Sequence, residues 1–343
     1  MAYDASSTHR MLGVIDGLDR PQMFLLDTFF PELVLFDTET IDFDLLDRAQ
    51  GLAPFVSPYV PGKAEKGRGY ETRSYEPAYV KPKNQIDPKL PLKRRPGEAF
   101  GGTLSAGERR ELAAAQLQAD HMVKIMRRKE WMAAQALQTG SVIVTGEDFP
   151  AQTISFGRDA GLTLTLSGGA RWGETDVSPH DDLDAWCDTV ANKSGAAVTD
   201  VVLDPKAKAL LFADPKFSAA LDNRRQDGGV MQLGVQPSGQ DMWARYLGNL
   251  GGLDYWMYQQ PYTDDAGSAA FLMPDNSVIL GSRQIEGYQA QGAILDPNSD
   301  FQALEFFPRR FIPDDPAIEH LMTQSAPLPV PARPNASMFI TVR

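Results

Sequence analysis

The sequence has a single cysteine, Cys187, among its 343 residues. A lone cysteine forms no intrachain disulfide, so no disulfide framework is expected, which is typical of proteins from a reducing cytoplasm. Long apolar runs are also missing. No stretch approaches the roughly 18 residues that a membrane span needs, and the mean hydropathy is −0.30. The N-terminus lacks the basic start and apolar core of a signal peptide. We therefore expect neither disulfides, nor membrane contact, nor a secretory leader.

Histidine is scarce, and its positions do not indicate a metal site. None of the four is spaced as a ligand pair; they are His9, His121, His180 and His320. We expect His121 on the surface of a helix. A possible metal site is suggested by His180, Asp181 and Asp182. These residues directly follow Ser178 and Pro179, where a helix is expected to start, and acidic residues in a first helical turn complement the helix dipole. We therefore favour the helix start over a metal site.

Other signatures of chemistry are absent or incomplete. The spacing of Asp296, Asn298 and Asp300 resembles the start of a calcium-binding loop. However, Phe301 occupies the position of the required glycine, and Phe307 occupies that of the bidentate glutamate. No phosphate-binding loop and no nucleophile elbow occur. We expect no catalytic, metal or cofactor-binding residue. One alternative stays open, a cytoplasmic ligand-binding protein or enzyme with an aromatic-lined pocket, although strand packing of these aromatic residues is favoured: Trp243, Tyr246, Tyr255, Trp256 and Tyr258.

Charge is abundant but unevenly placed. The net charge is −12, which argues against nucleic-acid binding by the body of the protein. The segment from Lys63 to Arg95 has ten basic and four acidic residues, a net +6, which leaves −18 for the remainder. A basic segment on an acidic body fits a contact with another copy of the same body. A loop that binds phosphate or nucleic acid is the alternative.

The strongest local pattern is a long helix from Ser105 to Thr139. Ser105 and Glu108 form a capping box, the interior consists of strong helix formers, and Gly140 fits a C-cap. Its length, about 50 Å, is roughly three times that of the average helix.

Apolar residues recur along this helix at three- and four-residue steps and define one packing face. The face includes Leu112, Ala115, Ala119, Met122, Met126, Ala133 and Leu137, widened by Val123, Ile125 and Trp131. We expect a strut lying across a sheet; the alternative is a two-chain coiled coil. The cations from Lys124 to Lys129 are expected on a solvated face or against a neighbouring subunit.

Before this helix, the chain shows an arm followed by an extended loop. Residues 1–20 have little pattern, and residues 21–30 predict a short helix. Alternation predicts a strand over residues 38–46, with Ile41, Phe43 and Leu45 on one face, and another over residues 69–80. We expect a long β-hairpin, in which a turn near residues 62–69 returns the chain onto residues 54–60.

After the long helix, helices and short strands alternate. Strands are predicted over residues 141–146, 153–156 and 162–166, all packing along the helix. Helices are predicted from Pro179, Pro205 and Pro215. Further strands are predicted over residues 198–203, 230–235, 253–259, 269–272, 278–280, 302–310, 322–330 and 338–342. The last three are expected to return to the sheet beside the helix.

Several segments, taken together, resemble the capsid protein E family, the major capsid proteins of lambda-like tailed phages. FVSPYVPG (55–62) and PAYVKPKNQIDP (77–88) resemble its extended loop. VTGEDFP (144–150), VLDPKAKALLF (202–212), LDNRR (221–225), FLMPDNSVILG (271–281) and MTQSAPLPV (322–330) follow in the same order. The similarity runs from about residue 20 to the C-terminus. The first twenty residues and residues 97–104 depart from the family pattern.

The resemblance implies an α+β chain with the tailed-phage, Hong Kong 97-like coat fold. Residues 1–50 would be the N-terminal arm and first strand, and 51–100 the extended loop. Residues 101–177 would form the peripheral domain with spine helix 105–139, and 178–300 the axial domain. Residues 301–343 would return to the peripheral domain. Packing of the spine helix would involve Leu112, Ala119, Met122, Met126, Trp131 and Leu137.

The implied function is a structural one, without enzymatic activity. Copies would assemble as hexamers and pentamers into an icosahedral head around double-stranded DNA, in the host bacterial cytoplasm. The extended loop would contact the neighbouring subunit through Lys63, Lys66, Arg68, Arg73, Tyr79, Lys81 and Lys83. Further expected partners are a separate scaffolding protein, a cementing protein, a portal at one vertex, and packaged DNA through weak contacts.

Overall fold

The computed structural model describes residues 15, 20–38, 40–46, 59, 70–87, 89, 105–146, 149–219, 243–264, 267–314 and 318–343. The helices are α1 Phe24–Phe29, α2 Ala106–Thr139, α3 Pro179–Ser194 and α4 Pro205–Phe212; residues 215–219 are also helical. The strands are β1 Glu32–Leu35, β2 Ile41–Leu46, β3 Tyr70–Tyr75, β4 Lys83–Ile86, β5 Ser141–Gly146, β6 Phe149–Ser155, β7 Thr163–Thr165, β8 Asp200–Leu203, β9 Ala244–Leu250, β10 Leu253–Tyr258, β11 Pro261–Thr263, β12 Ala269–Phe271, β13 Ser277–Gly281, β14 Gly287–Gln291, β15 Phe307–Phe311, β16 Glu319–Gln324, β17 Pro327–Pro331 and β18 Ser337–Thr341.

The predicted long helix is confirmed from end to end. Ser105 Oγ accepts a hydrogen bond from the Glu108 amide, and the Glu108 carboxylate accepts one from the Ser105 amide. At the other end Gly140 adopts φ 68°, the left-handed conformation that glycine tolerates best. Arg158 donates to the Leu137 and Gln138 carbonyls, each at 2.5 Å. Its cation therefore lies where the helix dipole is negative.

Helix α2 lies across strands from several sheets, as the strut interpretation predicts. Met122, Met126 and Leu137 are buried, whereas Ala119 and Trp131 are half-buried. The prediction that Leu112 lies on the packing face is wrong, because its side chain is 45% exposed. In the first turns the buried residues are instead Ala113, Ala114 and Gln118, so the packing face there is rotated away from Leu112.

The strands form several small sheets and one larger sheet. The six-stranded sheet has the order β7-β18-β13-β8-β10-β9 and mixes parallel with antiparallel pairs. Two three-stranded sheets have the orders β1-β14-β17 and β15-β16-β4, and β2-β3, β5-β6 and β11-β12 are paired separately. Helices and sheets together give the predicted α+β class.

The six-stranded sheet separates two hydrophobic cores. Along β8, Val202 belongs to the first core, whereas Val201 and Leu203 belong to the second, as expected when successive strand residues point to opposite faces. The first core also contains α1 and the buried face of α2. The second is covered by α3 and α4, including Trp186 and Leu211.

Several strand assignments need correction. Residues 162–166 and 338–342 were expected beside β5 and β6, but β7 and β18 pair with each other in the six-stranded sheet. Residues 322–330 form two strands, because the chain crosses at Ser325 and Ala326 from β16 in one sheet to β17 in another. The strand predicted over residues 302–310 begins only at Phe307. Residues 230–235 lie outside the described residues. Sequence patterns missed β1, β4, β9, β11 and β14.

Candidate assembly interface

The base of the extended loop is a two-stranded ladder fixed to the first core. β2 pairs antiparallel with β3, and Leu46 lies directly opposite Tyr70. The expected folding of residues 69–80 back onto residues 54–60 lies outside the described residues, since only Tyr59 of the latter segment is described. Phe43 stacks on Tyr75 with ring centroids 5.6 Å apart and also contacts Phe156. Residues 47–69 are therefore inserted between two directly paired positions.

The returning strand of the loop is integrated into the body. β4 pairs antiparallel with β16, and Val80 forms an isolated bridge with Ser325. Ile86 is buried. Residues 77–86 thus belong structurally to the body of the chain.

The structure places four of the seven predicted contact residues against their own chain. Arg73 donates to the Ser155 carbonyl at 2.6 Å, and the Tyr79 hydroxyl donates to the Ala293 carbonyl at 2.5 Å. The ammonium groups of Lys81 and Lys83 lie over the rings of Tyr79 and Phe311, at 4.8 and 5.2 Å. The other three lie outside the described residues: Lys63, Lys66 and Arg68. Intersubunit contact is therefore a prediction that concerns mainly these three cations.

A buried carboxylate, Glu130, connects helix α1, helix α2 and strand β10. Helix α1 starts at Met23 without a side-chain cap. Instead, Glu130 of α2 accepts hydrogen bonds from the Leu25 and Leu26 amides at 2.9 and 2.8 Å. It also accepts one from the Tyr258 hydroxyl at 2.6 Å. A carboxylate at a helix N-terminus satisfies unpaired amides and complements the dipole, so Glu130 acts as a cap supplied from a distant part of the sequence.

Lys129, expected among solvated cations, is 1% exposed. Its ammonium group donates to Glu305 at 2.7 Å, and Arg20 lies 3.2 Å from the same carboxylate. Burial lowers the pKa of Lys129, and the Glu305 carboxylate opposes that shift. The prediction was wrong for this residue because the half-buried carboxylate of Glu305, from a segment far along the chain, compensates its charge.

His121, expected on the helix surface, is fully buried. Its two ring nitrogens lie 3.1 Å from Thr323 Oγ1 and 3.1 Å from Asn84 Oδ1. With the Asn84 oxygen facing Nε2, the neutral ring donates from Nε2 and accepts at Nδ1. Burial, reinforced by Lys124 and opposed by Asp120, lowers the pKa of His121 to about 4. The ring thus joins α2 to β4 and β16.

This buried histidine should make folding stability sensitive to mild acid. The unfolded chain binds a proton at His121 near pH 6.5, whereas the folded chain does so only near pH 4. Stability should therefore fall as the pH is lowered through this window. We expect the fall between pH 7.5 and 5 to be smaller in His121→Gln, measured by urea unfolding of both chains. An equal pH dependence in the two chains would contradict this assignment.

The aromatic residues proposed to line one pocket do not converge. Tyr255 is buried in the second core and Tyr258 in the first, on opposite faces of β10. Trp256 packs on Tyr246, with the two ring centroids 4.8 Å apart. Trp243 lies apart, beside an open cleft of about 770 Å³ that is also lined by Trp131 and Tyr262. The packing interpretation is confirmed for Tyr255 and Tyr258, and the shared pocket is wrong.

The suspected ligand sites have structural roles. Asp296 accepts hydrogen bonds from the Asn298 amide, Arg309 and Gln324. Asp182 accepts one from the Trp172 indole. Among the described residues, no cluster of His, Cys, Asp or Glu has the arrangement of a metal site. In the same part of the chain, no helix is both long and apolar enough to cross a membrane.

Comparison with known proteins adds four findings. The family model for phage major capsid protein E matches residues 7–342. The chain is 31% identical over 325 residues to the major capsid protein of Escherichia phage lambda, covering 93% of each chain. It is 30% identical to that of Escherichia phage N15, covering 98% of each. The crystal structure of a prophage capsid protein from E. coli CFT073 superposes with a TM-score of 0.76 at 22% identity, covering all of both chains.

Proposed function

The chain belongs to the phage major capsid protein E family, and from this premise we propose how it builds a shell. It is the major capsid protein of a tailed phage or prophage, with the Hong Kong 97-like fold. The proposed assembly has hexamers and pentamers of this chain in an icosahedral head around packaged double-stranded DNA. The family is one of structural proteins, and we propose no catalytic activity.

One observation supports this assembly above the others: the extended loop is an insertion between directly paired residues. Leu46 and Tyr70 already form a ladder, so the fold of the body does not require residues 47–69 to close the hairpin. This insertion contains Lys63, Lys66 and Arg68 in a chain whose net charge is −12. We propose that the loop lies over the acidic body of the neighbouring copy, where opposite charge guides encounter and register.

We propose that different segments of the chain have different roles in the shell, and that the two domains correspond broadly to the two hydrophobic cores. The N-terminal arm and the loop reach towards neighbours, and the spine helix α2 with its adjoining sheets forms the peripheral domain. The axial domain contains the six-stranded sheet with α3 and α4. Relative to the sequence-based division, β7 and β18 therefore belong with the axial rather than the peripheral domain.

The remaining partners are also proposals. A separate scaffolding protein would direct assembly in the host bacterial cytoplasm, a portal would occupy one vertex, and a cementing protein would reinforce the shell. Contacts with packaged DNA would be weak, because the body of the chain is acidic. The finished location is the virion capsid.

Size-exclusion chromatography and negative-stain microscopy test the proposed assembly. The full chain, expressed alone and together with its scaffolding protein, should yield rings or closed shells. A solitary monomer in both preparations would overturn the proposal.

A further inference from the structure

An open cleft of about 770 Å³ lies between helix α2, the base of the extended loop and the paired strands β11 and β12. Helix α2 contributes Trp131 and three cations to the lining, the base of the loop contributes Val80 and Pro82, and β11 contributes Tyr262. Trp243, directly before β9, also lines it. We call this site the α2 cleft. Its volume is that of a typical ligand-binding cleft.

The aromatic lining of the α2 cleft is anchored in the body of the chain. Trp131 and Tyr262 pack against the first core, and β11 is held by its pairing with β12. Gln260 is buried, and its side-chain amide donates to Met23 Sδ at 3.8 Å. The cleft is therefore formed before a ligand arrives, which reduces the entropy that binding would cost.

Two cations of the α2 cleft have no counter-ion in the described part of the chain. Lys124 and Arg127 are exposed, and neither forms a hydrogen bond or a salt bridge with a described residue. Arg128 differs, because its guanidinium lies 5.4 Å from the centroid of the Trp131 ring. Lys124 and Arg127 are therefore available to an anionic ligand.

Acidic side chains near the α2 cleft leave this positive charge in place. Asp264 is the acidic residue among the described lining, and its carboxylate accepts a hydrogen bond from the Ser268 amide at 2.7 Å. Asp120 is exposed one helical turn before Lys124 but forms no salt bridge with it. Three cations and one carboxylate give the described lining a net charge of +2, in a chain whose net charge is −12.

The ligand that fits the α2 cleft combines negative charge with an aromatic ring. Carboxylates form strong charge-assisted hydrogen bonds with lysine and arginine, and a ring packs favourably against tryptophan and tyrosine. A short peptide segment with acidic residues around one aromatic residue has both features. Duplex DNA does not, because its bases are stacked inside the double helix and cannot reach the aromatic lining.

The proposed contact between copies leaves the α2 cleft uncovered. That contact places the basic loop of one copy on the acidic body of the next. The loop cations Lys63, Lys66 and Arg68 would be repelled by the cations of the cleft. The charges therefore favour a partner that is not another copy.

We propose that the α2 cleft binds a short acidic segment, carrying one aromatic side chain, of a protein other than this chain. The inference rests on the proposed function, since the contact between copies decides which surfaces of the shell stay open. Carboxylates of the segment pair with Lys124 and Arg127, and its ring packs against the aromatic lining.

A fluorescein-labelled peptide, Glu-Glu-Phe-Glu-Glu, tests the site on the unassembled full-length chain by fluorescence anisotropy. We expect binding that weakens about tenfold in the double variant Lys124→Gln, Arg127→Gln, as expected for the loss of two exposed ion pairs. Trp243→Ala, which removes part of the aromatic lining, should also weaken it. The control Lys206→Gln, Lys216→Gln removes the same charge from exposed positions elsewhere and should bind the peptide as the wild type does.

The outcomes separate this inference from its alternatives. No binding by the wild type, or equal binding by the wild type and the Lys124→Gln, Arg127→Gln variant, would overturn it. Displacement of the peptide by an equal concentration of decathymidylate would also overturn it, in favour of single-stranded nucleic acid. Saturating peptide should leave the shell yield unchanged, and a clear drop in yield would show that a second copy occupies the cleft instead.

Two further results keep the test decisive. If Trp243→Ala fails to fold, the Lys124→Gln, Arg127→Gln variant decides the question, because both of its substitutions are at exposed positions. Failure of the wild-type chain to assemble would overturn the proposed function, whereas the peptide measurements on the unassembled chain would still decide this inference.

Discussion

Replacement of Glu130 by alanine should lower the free energy of unfolding by about 3 to 5 kcal/mol, a loss typical of removing one partner from a buried charged network. The substitution leaves the Leu25 and Leu26 amides without their acceptor. It also removes one of the two acceptors within reach of the Tyr258 hydroxyl, the other being Gln260 Oε1 at 2.7 Å. It also removes the N-terminal cap of α1, for which Met23 offers no substitute. Urea unfolding of the unassembled chain measures the effect.

A glutamate elsewhere on the same helix provides the matched control. Glu111 is exposed and pairs with Arg310 at 2.9 Å, so Glu111→Ala should cost less than about 1 kcal/mol, as exposed ion pairs do. Both substitutions remove one carboxylate from the same helix and differ mainly in burial. Similar losses in the two variants would show that Glu130 is not the connection between α1, α2 and β10.

The helix boundaries of α2 were predictable because their determinants are local. Ser105 and Glu108 are three residues apart, and Gly140 ends the helix by its own backbone conformation. The starts of α3 and α4 follow the same logic, since Ser178 and Asp204 each precede a proline at the first helical position.

The buried polar residues of α2 were missed because their partners are distant in sequence. His121, Lys129 and Glu130 are residue types that usually lie on helix surfaces. Their burial depends on contacts with segments as far as 202 residues away. A signal was nevertheless present in the sequence. The apolar series of the packing face has a gap between Met126 and Ala133, and a step of three or four residues from Met126 leads to Lys129 or Glu130. Two charged residues at that point of a packing face predict a buried pair of polar contacts.

Strand membership was the least predictable feature. Alternation over residues 162–166 and 338–342 correctly indicates strands but contains no information about their partners. β18 lies between β7 and β13, and the partner segments are separated by more than 50 residues. The extended loop shows the same limitation, since alternation over residues 69–80 did not reveal that its first half pairs with β2 and that residues 83–86 pair with β16.

Replacement of residues 47–69 by Asn-Gly should abolish shell formation and leave the folded body intact. Because Leu46 and Tyr70 are directly paired, a two-residue turn of this sequence closes the same ladder with the twist that hairpins favour. Shortening a loop lowers the entropic cost of closing it. We expect a urea midpoint near that of the wild type and shell yield reduced by at least tenfold. A deletion of residues 63–95 would not separate these effects, because it removes β4 and the Asn84 partner of His121.

A variant of the full-length chain separates the contribution of the loop's charge to assembly from the contribution of its length. Replacing Lys63, Lys66 and Arg68 by glutamine keeps the length of the loop but removes these three cations. If opposite charge mainly guides encounter, this variant should assemble more slowly, with the difference from wild type shrinking as salt screens the charges. The truncated loop should fail at every ionic strength, because no screening restores its reach. Shells of normal yield from the truncated chain would mean that the loop does not hold neighbouring copies together.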